Sequence, residues 1–132
     1  MPGALHRDES GQGAVELALV MPFLLLALIG SVQLALVHHA GQVAAGAAQE
    51  GARLAAGEGH SSAEGAERTR ELLEAGLGTH AATFTVTAEE RSGRIVLSAS
   101  GHYPLFIPWV RDVAVPVEAT SEVRGEGFRG GP

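Results

Sequence analysis

Cysteine, lysine and asparagine are absent from the 132 residues of the chain. The lack of cysteine removes disulfides, thiol catalysis and cysteine-based metal or iron–sulfur sites in one step. Without lysine, all nine basic residues are arginines, set against fifteen carboxylates for a formal net charge of -6. Phosphate binding needs clustered cations, so nucleic acid is excluded as a partner, and an acidic partner surface is disfavoured. Arginine in place of lysine, with abundant Ala and Gly, reads as a codon bias toward GC-rich DNA. Catalytic signatures are missing too: no HExxH, GxGxxG, Walker A, GxSxG or EF-hand pattern occurs. His38 and His39 are adjacent and would point about 100° apart on a helix, a poor geometry for shared metal ligation. His6, His60, His80 and His102 are scattered. The expectation is a non-enzymatic protein without cofactor, metal or small-molecule substrate.

Long apolar runs are what the chain does have. From Ala14 to Val37 the sequence is broken only by Glu16, Pro22, Gly30, Ser31 and Gln33. That stretch exceeds the roughly 20 residues a helix needs to cross a bilayer. A single transmembrane helix follows, kinked at Pro22. Arg7 precedes the span and Arg53 is the first basic residue after it, which places the N-terminus in the cytoplasm by the positive-inside rule. A cleavable secretory signal fits less well, because the run is longer than an ordinary signal core and Asp8 and Glu9 accompany the lone Arg7. Glu16 is costly at hydrocarbon depth and usually implies a partner or a function. In the first helical turn it would also be favoured by the macrodipole.

Gly11-Gln12-Gly13-Ala14-Val15-Glu16-Leu17 has a Gly followed at the fifth position by Glu and then an apolar helix. This resembles a type IV prepilin processing site. Further on, residues 42–56 read QVAAGAAQEGARLAA, with Glu50-Gly51-Ala52-Arg53 near the end. The two blocks together resemble the TadE-like family, minor pilins or pseudopilins of the tight-adherence (Flp) pilus apparatus. Leu17 stands where that class often has an aromatic residue, and the leader is not basic. The resemblance implies cleavage by a membrane prepilin peptidase between Gly11 and Gln12. It also implies a role for Glu16 in assembly, pairing with the new N-terminal amine of a neighbouring subunit. The implied partners are membrane lipid, that peptidase and other pilin-like subunits or Tad assembly proteins.

Beyond the span no helix stop occurs before Gly57, so one rod is expected from Ala14 to Ala56. Ala40, Ala44, Ala48, Ala52 and Ala56 recur every four residues and form a small-residue stripe that would let another helix approach, as in filament bundling. Glu50 and Arg53 form an i, i+3 pair and, if they touch a neighbour, a subunit contact. Gly57 to His60 reads as a linker. Ser61 and Glu64 make a capping-box signal for a helix from about Ser62 to Ala75, with Gly76 and Gly78 as terminators. Alternation in 83–88, a turn at Ser92-Gly93, and strands from Arg94 to about His102 and from Val113 to Val123 predict a small antiparallel sheet. Pro116 marks an edge or a bulge. The segment 103–109 is rich in apolar groups and could dock a subunit through Phe106 and Trp109. The small size of the region favours closure over the core instead.

The expected architecture is thus α+β and pilin-like. Residues 1–11 form a leader peptide and 12–58 a transmembrane and extended helix. Residues 59–124 form a small extracytoplasmic head and 125–132 a disordered tail. The alternatives are a single-pass anchored binding module that keeps residues 1–11, and a protein secreted after loss of the whole apolar segment.

Overall fold

The computed structural model describes residues 7–125, with side chains from Gly11 onward. Residues 1–6 of the expected leader and 126–132 of the expected tail lie outside the described residues. The element order is α1 (Arg7–Ala56), α2 (Ser62–Leu77), a 3-10 turn (Gly78–Thr83), β1 (Thr85–Arg91), β2 (Arg94–Ile107) and β3 (Val110–Arg124). This is the α+β arrangement of a long apolar helix, a short helix and a three-stranded antiparallel sheet. The chain divides into two compact units between Ala35 and Leu36.

In the first unit α1 is apolar on every face. Val15, Leu19, Phe23 and Leu34 are all exposed, Phe23 at 71%, and the most apolar window has no buried residue. A helix apolar all round belongs in a protein core or a membrane, and no core covers this one. The helix is long and apolar enough to cross a bilayer. Its hydroxyl is satisfied from within, as Ser31 Oγ donates to the Ala27 carbonyl at 2.8 Å, the arrangement lipid demands of polar groups. Pro22 lies inside the helix.

The second unit begins with the last turns of α1, where the apolar pattern narrows to a stripe. Ala40, Ala44, Ala48 and Ala52 are completely buried and share one core with Leu73, Leu77, Val86, Leu97, Ala99 and Val117. Ala55 and Ala56 pack with Ile95. The stripe expected to bundle helices between subunits is therefore covered by α2 and the sheet of the same chain. Small side chains allow that close approach, and the contact supplies the partner that a helix containing Gly41, Gly46 and Gly51 needs.

α2 starts at the expected capping box: the Ser61 backbone N–H donates to Glu64 Oε2 at 2.6 Å, and the Glu64 N–H donates to Ser61 Oγ at 3.2 Å. It runs to Leu77, two residues further than expected, and is capped by Gly78 at φ +57°. Gly76 is not a terminator. It lies inside the helix against Val43, where a Cβ would come within 2.5 Å of Val43 Cγ1. α2 crosses α1 most closely where Gly51 faces Gly65. The Thr69 hydroxyl, fully buried, donates there to the Gly65 carbonyl at 2.9 Å and faces that of Ala47 at 3.2 Å.

The sheet is a meander in the order β1-β2-β3. Ser92 and Gly93, φ +51° and +75°, make the two-residue turn whose twist suits a hairpin, and set Arg91 opposite Arg94. β2 turns Ile95, Leu97 and Ala99 inward. Pro116 sits on the edge strand β3, opposite His102, where a missing N–H is tolerated. The strands run further than the sequence suggests. β2 continues to Ile107 and β3 begins at Val110, with a register shift between Leu105 and Ile107. β1 pairs only as far as Ser100, so the rest is a two-stranded ribbon. The expected closure of 103–109 over the core holds only at its start: Tyr103 packs half-buried against the core, whereas Phe106, Ile107 and Trp109 are exposed.

Candidate functional site

Gly11, Gln12 and Glu16 lie near the start of α1, helical and exposed. A peptidase reads extended chain, so a cut after Gly11 requires the first turns to unwind. Gly11 and Gly13 ease that, since each costs a helix about 1 kcal/mol relative to Ala, and a Cβ at either would meet nothing within 4 Å. Glu16 sits beyond them on the apolar helix.

Glu50 and Arg53 stand on the exposed side of α1, opposite the buried Gly51 and Ala52. Arg53 Nη1 is 3.9 Å from Glu50 Oε2, a solvent-facing pair that contributes a few tenths of a kcal/mol at most by itself. Both side chains are available to a neighbour. Within the same block, Gly51 has the opposite task, holding α2 close.

Phe106 and Trp109 come together at the end of the β2–β3 ribbon, exposed at 69% and 94%. The turn is Ile107-Pro108-Trp109-Val110, with Trp109 at φ +68°. Proline followed by a positive φ is the pattern of a type II turn, whose second central position favours Gly. A tryptophan there is a strained choice, and the fold draws no packing from it.

Electrostatics are perturbed at the start of α2. The hydrogen bond from the Ser61 backbone N–H holds the Glu64 carboxyl below the ordinary carboxylate range, aided by the Ser61 hydroxyl and by His60. His60 Nδ1 lies 3.5 Å from Glu64 Oε2. This is a cap, and its chemistry is structural. Among the described residues no group of three or more His, Asp or Glu side chains could hold a metal ion.

The sequence marked Gly11, Gln12, Glu16, Glu50, Arg53, Phe106 and Trp109. The structure pairs Glu50 with Arg53 and places Phe106 and Trp109 on one ribbon end. Sequence reasoning missed Gly51, Gly65 and Thr69 as the closest helix crossing. Glycines inside both helical segments were the available signal.

Residues 11–53 match the family model described as TadE-like protein. This segment is TadE-like. The TadE-like match opens at Gly11 and closes at Arg53, so it takes in both the Gly11–Leu17 motif and the Glu50–Arg53 block. It lies wholly on α1. No curated protein and no solved structure matches the chain.

Proposed function

We propose that the chain is a non-enzymatic, pilin-like component of a tight-adherence pilus system, a minor pilin or assembly protein. The observation that carries this reading is the TadE-like match over residues 11–53 of α1, which takes in its exposed apolar stretch. In this reading α1 stores the protein in the membrane with its N-terminus cytoplasmic. A prepilin peptidase cuts between Gly11 and Gln12, and the new amine becomes available to the Glu16 carboxylate of a neighbouring subunit. That pairing offsets the cost of a carboxylate on a lipid-facing helix. The head then stands outside the cytoplasm, with Glu50 and Arg53 free to meet other subunits.

The test is the intact mass and N-terminal sequence of the membrane-extracted protein, with and without its prepilin peptidase. A mature start at Gln12 that depends on the peptidase is expected. Glu16→Ala should be cut at the same bond and lose recruitment into assembled subunits. Retention of Met1 or Pro2 in the membrane despite active peptidase would refute the reading. It would favour an anchored binding module, which the exposed Phe106 and Trp109 also suit. A start beyond Ala40 would instead identify a secreted protein.

A further inference from the structure

The exposed turn at the end of the ribbon has a counterpart elsewhere on the second unit. Between the C-terminal half of α2, the 3-10 turn and the approach to β1 lies an open cleft of about 480 Å³. Its floor is apolar, made by the buried Leu73 and Ala81 and the half-buried Phe84. Arg70 and Glu74, one helical turn apart on α2, stand at its rim. A volume of that order accepts an aromatic side chain. Arg70 is engaged by Glu67 Oε2 at 3.2 Å, whereas Glu74 has no ion-pair partner among the described residues.

The turn offers the complementary chemistry. Trp109 is 94% exposed and held at φ +68°, a strained position from which the fold draws no packing. Ile107 and Val110 flank it, also exposed. Arg111 and Asp112 follow, a cation and an anion exposed side by side, against Glu74 and Arg70 on the rim. Arg111 likewise has no ion-pair partner among the described residues. The turn cannot reach the cleft of its own chain. The 3-10 turn that walls the cleft holds β2 at His102 and Tyr103, through Thr83 Oγ1 donating to the His102 carbonyl at 2.7 Å and the His80 and Tyr103 rings 5.0 Å apart. From Tyr103 to Ile107 the strand advances about 13 Å further, and pairing with β3 keeps it extended. The cleft is left behind the turn, and only another copy brings the two together.

We infer that the ribbon turn of one copy seats Trp109 in the cleft of a second copy, floored by Leu73 and Phe84, with Arg111 against Glu74. Trp and Arg are enriched among the side chains that carry protein contacts, and an aromatic anchor in a pocket beside a complementary charge is their usual setting. Turn and cleft are different surfaces, so the contact is heterologous and repeats from copy to copy unless the rotation closes it. It involves only the second unit of each copy and is independent of cleavage after Gly11.

The chain has no cysteine, so a thiol can be placed on each surface without background. Full-length chains carrying Val110→Cys, next to Trp109, would be mixed in detergent micelles with chains carrying Ala82→Cys, which lines the cleft, and oxidised. The expected result is a mixed disulfide formed several-fold faster than with Gln49→Cys, on the exposed side of α1, in place of Ala82→Cys. Adding Trp109→Ala to the first chain should slow it to the control rate. Glu74→Arg in the second chain should slow it too, and Arg111→Glu in the first should then restore it, which a fold merely loosened by Glu74→Arg would not allow. A mixed disulfide no faster than the control overturns the inference, as does indifference to Trp109→Ala. Faster linkage of Val110→Cys to itself, turn against turn, overturns it as well. The chains are used uncut, so failure here leaves the reading of Gly11 and Gln12 untouched.

Discussion

The crossing of α1 and α2 predicts opposite effects for one substitution made at two glycines five residues apart. Gly46 lies in the helix interior, and a Cβ there meets nothing within 4 Å. Gly46→Ala should therefore stabilise by about 0.5–1 kcal/mol through helix propensity alone. At Gly51 the same methyl would collide with Thr69 Oγ1 and come within 2.5 Å of the Gly65 carbonyl oxygen and 3.2 Å of Leu97 Cδ1. Neither α2 atom is the end of a flexible chain. Turning Thr69 away leaves a buried hydroxyl without its acceptors, at about 1–3 kcal/mol, and parting the helices costs about 1–3 kcal/mol in packing. Less the roughly 1 kcal/mol of propensity, Gly51→Ala should destabilise by about 3 kcal/mol, a fall in Tm of roughly 12–24 °C for a head of this size. Thermal unfolding of the full chain in detergent micelles, followed by amide circular dichroism and protease resistance, measures both. Shifts of the same sign for the two variants, or a Gly51→Ala protein as stable as the parent, would refute the close crossing.

Two further outcomes follow from the head. Leu97→Ala empties the middle of the core beneath β2, and a fully buried leucine lost without collapse costs about 2–5 kcal/mol, readable as an earlier transition in the same assay. Glu64 has its folded pKa depressed, so the cap is at full strength above the ordinary carboxylate pKa and is lost as pH falls through the folded value. Protection factors for amide exchange at the first turn of α2, corrected for the fall of the intrinsic rate with pH, should drop on acidification before those of the sheet amides do, and Glu64→Gln should flatten that dependence.

Local patterns were legible in the sequence, and long-range ones were not. The apolar run, the Ser61–Glu64 box and the Ser92-Gly93 turn are each specified within a few residues, and each stands where the sequence puts it. The Ala stripe showed which face of α1 is small but not what covers it, because a stripe has no signature of its occupant. Gly51 and Gly65 meet across two helices, and neither residue's neighbours reveal the other. The ribbon was underestimated because strand alternation is lost locally from Tyr103 onward, where Pro104 lacks the N–H of a ladder. Pairing from Tyr103 with Val115 to Ile107 with Val110 carries the strands past Pro104 where β1 is no longer alongside. For the candidate site, the Gly11–Glu16 spacing and Glu50–Arg53 needed only sequence, whereas the exposure and strain of Trp109 needed the turn.

Burial of the Ala40–Ala52 stripe by segments as late as Val117 ties the end of α1 to the order of synthesis. Those turns carry several glycines and, besides Val43 and Leu54, no larger apolar side chain, so they are a poor helix until the sheet arrives. At about 5–20 residues per second, the ribosome needs roughly 3–14 s to go from Ala56 to Arg124. For that interval the start of α1 is complete while its last turns still lack part of their cover. Any stop or frameshift before β3 removes Val117 and with it part of the cover over that stripe.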